Sequence, residues 1–160
     1  SAPAQGKGAP VMRRVVIIAA FAALGITAAM TAAGDETDCA LEVRVTELKH
    51  GEGQVFVSLF DSEEGFPGGG ADAARVTLSA TPNGGEASVI FTGLPCGAYA
   101  VAAHHDEDGD GKMKAVYGTI PLEGVGISND AKGIMGPPKF KDARFELTPD
   151  SAPLLIIMRY

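Results

Sequence analysis

In the run His104-His105-Asp106-Glu107-Asp108-Gly109-Asp110-Gly111-Lys112, four carboxylates and two glycines fall within nine residues. Carboxylates at alternate positions, with glycines that let the backbone turn back on itself, are what a calcium loop requires. Asp106-x-Asp108-x-Asp110-Gly111 reproduces the first half of an EF-hand-type loop, and Lys112 is placed to add its main-chain carbonyl. Asp106, Asp108, Asp110 and Lys112 are therefore the expected metal set, and an all-oxygen shell favours calcium over zinc or copper. The second half of such a loop is missing. The position of its bidentate glutamate is Tyr117, and no helical pattern flanks the turn, so this is not an EF-hand. Another segment must complete the shell, with Asp61, Glu123, Asp130 and Asp142 as candidates. His104 and His105 are adjacent in an extended segment and must point to opposite faces, which argues against one transition-metal ion held by both. The serines lack a nucleophile-elbow pattern and the cysteines form no C-x-x-C pair, so no catalytic set emerges.

Strands must position this turn. In Leu41-Glu42-Val43-Arg44-Val45-Thr46-Glu47 apolar and polar residues alternate, which puts Leu41, Val43 and Val45 on one face of a half-buried strand. Residues 55–60, 75–80, 87–91, 98–104 and 154–160 read the same way, separated by turns rich in glycine, proline and asparagine. Short strands at this spacing predict an all-β fold, an antiparallel sandwich of about seven strands. The stretch Gly93-Leu94-Pro95-Cys96-Gly97-Ala98-Tyr99 between two strands resembles the tight corner of transthyretin-like and carboxypeptidase-regulatory modules, whose fold is an Ig-like sandwich. Tyr99 is expected to pack across that corner with its hydroxyl near the turn.

Residues 120–141, "IPLEGVGISNDAKGIMGPPKFK", break the pattern with glycine and proline at short intervals while keeping Val125, Ile127, Ile134, Met135 and Phe140. So many apolar side chains predict one long ordered loop rather than a linker, anchored by buried Ile127, Met135 and Phe140. His105, Glu123, Ser128, Asn129 and Asp130 are the candidate binding residues beneath it. The ligand classes considered are a peptide, a glycan or a small apolar molecule.

The N-terminus carries a different signal. Met12-Arg13-Arg14 ahead of the apolar run 15–30 has the layout of a signal peptide, with cleavage expected after Ala33 or Ala29. Residues 1–33 are then an extension and leader, 34–160 a single domain, and the location periplasmic or secreted. The apolar run falls short of the roughly 20 residues of a spanning helix, so no membrane span is expected after cleavage. Residues 34–160 hold all twenty acids and ten of the thirteen Lys and Arg, a balance of −10. Such a surface repels phosphate backbones, and no basic cluster interleaved with aromatics interrupts it, which excludes nucleic-acid binding.

"YAVAAHHDEDGDGK" at 99–112, "GTIPLEGVGISN" at 118–129 and "GPPKFKDARF" at 136–145 resemble the bacterial family known as domain of unknown function 2141. The resemblance implies a small exported domain with no assigned activity. Its members often carry an acid soon after the glycine-lysine pair, where this chain has Met113 and Lys114. The loss of that possible ligand implies weak calcium affinity, while Asp108 and Asp110, standing where asparagines are common, act against this by adding charge to the same turn. The expected function is a binding or structural module of the cell envelope, whose partner is an envelope protein, a glycan or a small molecule. The alternatives are the ligand-binding module under 120–141 and an envelope hydrolase using His105 with nearby carboxylates.

The two cysteines, Cys39 and Cys96, are expected to pair in an oxidising compartment. At that loop length the chain-entropy model gives about 4 kcal/mol of stabilisation. Thiol titration of the denatured, unreduced protein should find almost no free thiol; two reactive thiols per chain would refute the pairing.

Overall fold

The computed structural model describes residues 38–113, 115–116 and 120–160. The leader expected over 1–33, and Lys114 and Tyr117 beside the acidic turn, lie outside the described residues. The strands are β1 (Asp38–Thr46), β2 (Gln54–Phe60), β3 (Val76–Ala80), β4 (Ala87–Pro95), β5 (Gly97–Asp106), β6 (Ala115–Val116), β7 (Ile120–Pro121), β8 (Gly124–Ile127), β9 (Phe145–Leu147) and β10 (Leu154–Ile157). Two short helices, α1 (Gly70–Ala73) and α2 (Phe140–Ala143), and a 3-10 turn over Ser128–Asp130 complete the set.

One sheet has the order β10-β1-β4 and the other β3-β2-β5-β8, with β9 also pairing β5, and β6 and β7 form a separate two-stranded ribbon. This is the all-β sandwich that the alternation predicts. The pairings are antiparallel except β1 with β10, which run parallel from Val43 opposite Leu154 to Thr46 opposite Ile157. The core is built from the inward-facing sets Leu41, Val43 and Val45 of β1, Val55, Val57 and Leu59 of β2, Val89 and Phe91 of β4, and Tyr99 and Val101 of β5. Each such side chain contributes about 1.5–3 kcal/mol when fully buried.

Cys39 and Cys96 lie at disulfide distance, with Sγ atoms 2.02 Å apart, and so tie the first strand to the β4–β5 corner. At that corner the Tyr99 hydroxyl donates to the Pro95 carbonyl at 2.8 Å, as its spacing suggested.

The region 120–141 departs from the expectation in two ways. Its first part is not irregular: Gly124–Ile127 is a strand, registered with His104 opposite Val125 and His105 opposite Gly124. The strand escapes a reading of alternation because its buried positions are glycines. A Cβ on Gly124 would stand 2.6 Å from the Tyr160 ring, and one on Gly126 would stand 2.5 Å from Ile156 Cγ2 and 2.9 Å from the Ile157 carbonyl oxygen. The backbone itself packs on β10, leaving the apolar Val125 and Ile127 half-buried on the other face. The second departure is Met135, which is 99% exposed, as is Ile134, whereas Ile127 and Phe140 are half-buried. Phe140 is held edge-on by Phe66, with ring centroids 5.7 Å apart, whereas the loop apex stands in solvent. The sequence count of about seven strands also falls below the ten found among the described residues, because β6 to β9 are two to four residues long and too short to show a period.

Gly126→Ala tests the packing of β8 on β10. The added methyl meets a backbone carbonyl that cannot move aside, so urea denaturation should show a loss of about 1–3 kcal/mol. An unchanged midpoint would refute the close approach.

Candidate metal centre

Alternation along β5 sorts its last residues between two environments. Tyr99, Val101, Ala103 and His105 point into the sandwich, while Ala102, His104 and Asp106 lie on the other face. His104 and His105 are accordingly separated, and each finds a different partner.

On the outer face Asp106 is almost fully buried, at 1% exposure. Its Oδ1 accepts the Gly109 N–H and its Oδ2 the Gly111 N–H, both at 2.8 Å. Gly109 and Gly111 each have φ of +73°, a left-handed conformation that glycine adopts without strain. The turn thereby curls around the Asp106 carboxylate. Gly53 lies over the same residue so closely that a Cβ would stand 1.9 Å from the Asp106 carbonyl oxygen, which fixes the start of the turn against the β1–β2 connection.

A segment distant in sequence supplies the next acid. Glu123, 5% exposed at the entry to β8, is 2.8 Å from His104 Nε2 through its Oε2. His104 in turn stacks on Phe56, with centroids 6.4 Å apart. One carboxylate oxygen from each of Asp106, Asp108 and Glu123 lies within 4.8 Å of the other two, a spacing that one cation can bridge. The acids brought together are thus Asp106, Asp108 and, of the four closing candidates, Glu123. Asp110 is turned to the local backbone, where its Oδ1 accepts the Lys112 N–H at 2.8 Å, and Lys112 is exposed at the end of the turn. Asp61 pairs with Arg75 at 2.8 Å instead.

The other expected binding residues serve the scaffold. Buried Ser128 accepts the Val101 N–H at 3.0 Å and donates to the Ala143 carbonyl at 2.6 Å, joining β5 to α2. Asn129 donates to the Arg144 carbonyl at 2.9 Å, and Asp130 takes a two-pronged pair from Arg159 at 2.8 and 2.7 Å. The hydrogen bond from Arg159 is the main cause that lowers the Asp130 carboxyl below its ordinary pKa.

His105 is fully buried and both ring nitrogens are engaged. The Glu52 carbonyl, 2.8 Å away, can only accept, so Nε2 carries the proton. Nδ1 then accepts the Tyr160 hydroxyl at 2.7 Å, and that oxygen accepts the Lys49 N–H at 3.0 Å. Partial burial first, and the charge of Glu107 after it, raise the Tyr160 phenol above its ordinary pKa against the Lys49 hydrogen bond, so it remains a donor at neutral pH. With both nitrogens occupied, His105 has none to offer a substrate as a general base. Beside it His50 pairs with Glu107 at 2.7 Å, its ring 5.2 Å from that of His105. The sequence gives no sign of the His50, Glu107 and Tyr160 contacts, which join segments far apart in the chain, all three residues lying outside the strands.

Residues 43–153 match the model of a family described as an uncharacterised protein conserved in bacteria, DUF2141. The chain belongs to this family. No curated protein and no solved structure matches it. The DUF2141 span contains all three clustered acids, whereas Cys39 and the His105 partner Tyr160 fall outside it. Among the described residues of this DUF2141 chain, no helix is long and apolar enough to cross a membrane.

Tyr160→Phe removes the partner of a buried imidazole nitrogen. It should cost about 1–3 kcal/mol in urea denaturation, the penalty of an unmatched buried polar group. Wild-type stability in the variant would show that Tyr160 does not hold the end of β5.

Proposed function

We propose that this chain is an exported binding module of the cell envelope whose acidic turn takes calcium. The observation that carries the reading is the approach of Asp106, Asp108 and Glu123, from two segments separated in sequence, to within 4.8 Å of one another. Asp106 and Glu123 are both nearly buried, and carboxylates held that close repel each other unless positive charge or donors intervene. The glycine N–H groups and His104 supply part of that compensation. A carboxylate oxygen carries more than one lone pair, so accepting a hydrogen bond and binding a cation are compatible.

Calcium suits the donor set because it accepts six to eight oxygens in flexible geometry, with water and carbonyls filling the remainder. Bound there, it would pin the turn after β5 to the start of β8 and so fix the edge of the larger sheet. A binding surface whose shape depends on extracellular calcium is the function this supports. The paired cysteines and the leader-like N-terminus favour the same compartment.

Calcium titrated to ten millimolar should raise the melting temperature of the full chain. A dissociation constant of roughly 0.1–1 mM is expected, with about 2.7 kcal/mol gained at a hundredfold excess. Magnesium should substitute poorly. Glu123→Gln should abolish the response, whereas Asp110→Asn should leave most of it, because Asp110 serves the turn. A calcium effect no larger than that of matched ionic strength would overturn the reading.

A further inference from the structure

The segment that runs from the 3-10 turn into the first residues of α2 inverts the chemistry of the surrounding surface. Residues 34–160 carry a balance of −10, yet 131–141 contain three lysines and no acid. At the apex Ile134 and Met135 are each 99% exposed. Lys132, Lys139 and Lys141 line one concavity of about 730 Å³ together with these two side chains, and Asp142 is the acid that shares it. Pro137 and Pro138 fix φ at two successive positions and hold the apex on a stiff base, so little ordering is needed when it engages a partner.

Two apolar side chains on a protruding tip make too small a surface for a stable protein interface, which needs about 800 Å² on each side. A fluid apolar medium needs no matching shape. Basic side chains at the rim of such a tip meet anionic headgroups, with about a fivefold gain in affinity for each. Lys132 is available for this role: its ammonium stands 3.5 Å from Asp130 in a pair whose lysine is 68% exposed, and Asp130 keeps Arg159 when Lys132 leaves.

We propose that this apex docks the domain on an anionic phospholipid bilayer, with Ile134 and Met135 entering the acyl boundary and Lys132, Lys139 and Lys141 holding lipid phosphates. The contact is peripheral and shares no residue with the calcium centre.

The chain has no tryptophan, so Met135→Trp places a single reporter at the apex of the full-length protein. With EDTA present, which separates the outcome from the calcium reading, the protein is mixed with vesicles of phosphatidylcholine alone or with added phosphatidylglycerol. Blue-shifted emission, and quenching by acyl-chain-brominated lipid, are expected only with phosphatidylglycerol. The further change of Lys132, Lys139 and Lys141 to Glu should weaken that response at least about tenfold. Emission that stays at the exposed-indole value with both vesicles overturns the proposal, as does equal quenching in both or indifference to the lysine reversal. A blue shift that grows with protein concentration in the absence of vesicles would assign the apex to a second copy of the chain, and would overturn it too. Attachment through any other part of the chain leaves the indole unquenched and counts against it.

Discussion

Strand β5 lies between β2 and β8, hydrogen-bonded to both, and its twofold alternation distributes the side chains on which the rest of this molecule depends. Adjacent positions in a strand cannot share an environment. His105 is thereby committed to the interior, where the Glu52 carbonyl and the Tyr160 hydroxyl saturate it, and Asp106 is committed to the outer face, where the turn curls around its carboxylate. A slip of one residue in the pairing with β2 would exchange the two faces. It would bury a carboxylate in the core and turn His105 out to solvent. The register of Gln54 opposite Asp106 thus fixes both the scaffold and the acidic centre.

The second constraint is the close seating of β8 on β10. Glycines at 124 and 126 allow the backbone to approach the Tyr160 ring and Ile156, and this approach carries Glu123 to within hydrogen-bonding distance of His104. A larger residue at either glycine would lift the strand and withdraw the carboxylate from Asp106 and Asp108. Packing and site geometry are linked here through the backbone rather than through a chain of side chains. The adjacent Ser128, Asn129 and Asp130 hold the following loop by capping carbonyls and pairing Arg159. Their polarity is used internally.

Charge is distributed unevenly on this framework. The acids that give the domain its negative balance include the cluster at the end of β5, while the loop at 131–141 is locally basic around an apolar apex. Net charge describes the solubility and the long-range field of the whole, but contact with a surface is decided within about a Debye length, some 8 Å at physiological salt.

By itself the sequence determined the all-β class, the core faces of the long strands, the corner at Tyr99 and the acidic turn. These depend on local period and local turn chemistry, which neighbouring residues express without knowledge of the rest of the chain. Leu41, Val43 and Val45 alternate because one face of their strand is buried, and Gly109 and Gly111 follow a carboxylate because the turn needs left-handed backbone. The tertiary structure alone decided which acid would join Asp106 and Asp108, selecting Glu123 and leaving Asp110 to its own turn. It also decided that the strand at 124–127 would bury its glycines, and that Ile134 and Met135 would stand in solvent. The physical reason is common to all three: close approach between segments far apart in sequence depends on strand register and on how nearly two backbones can touch, and neither quantity leaves a periodic mark on the residues themselves.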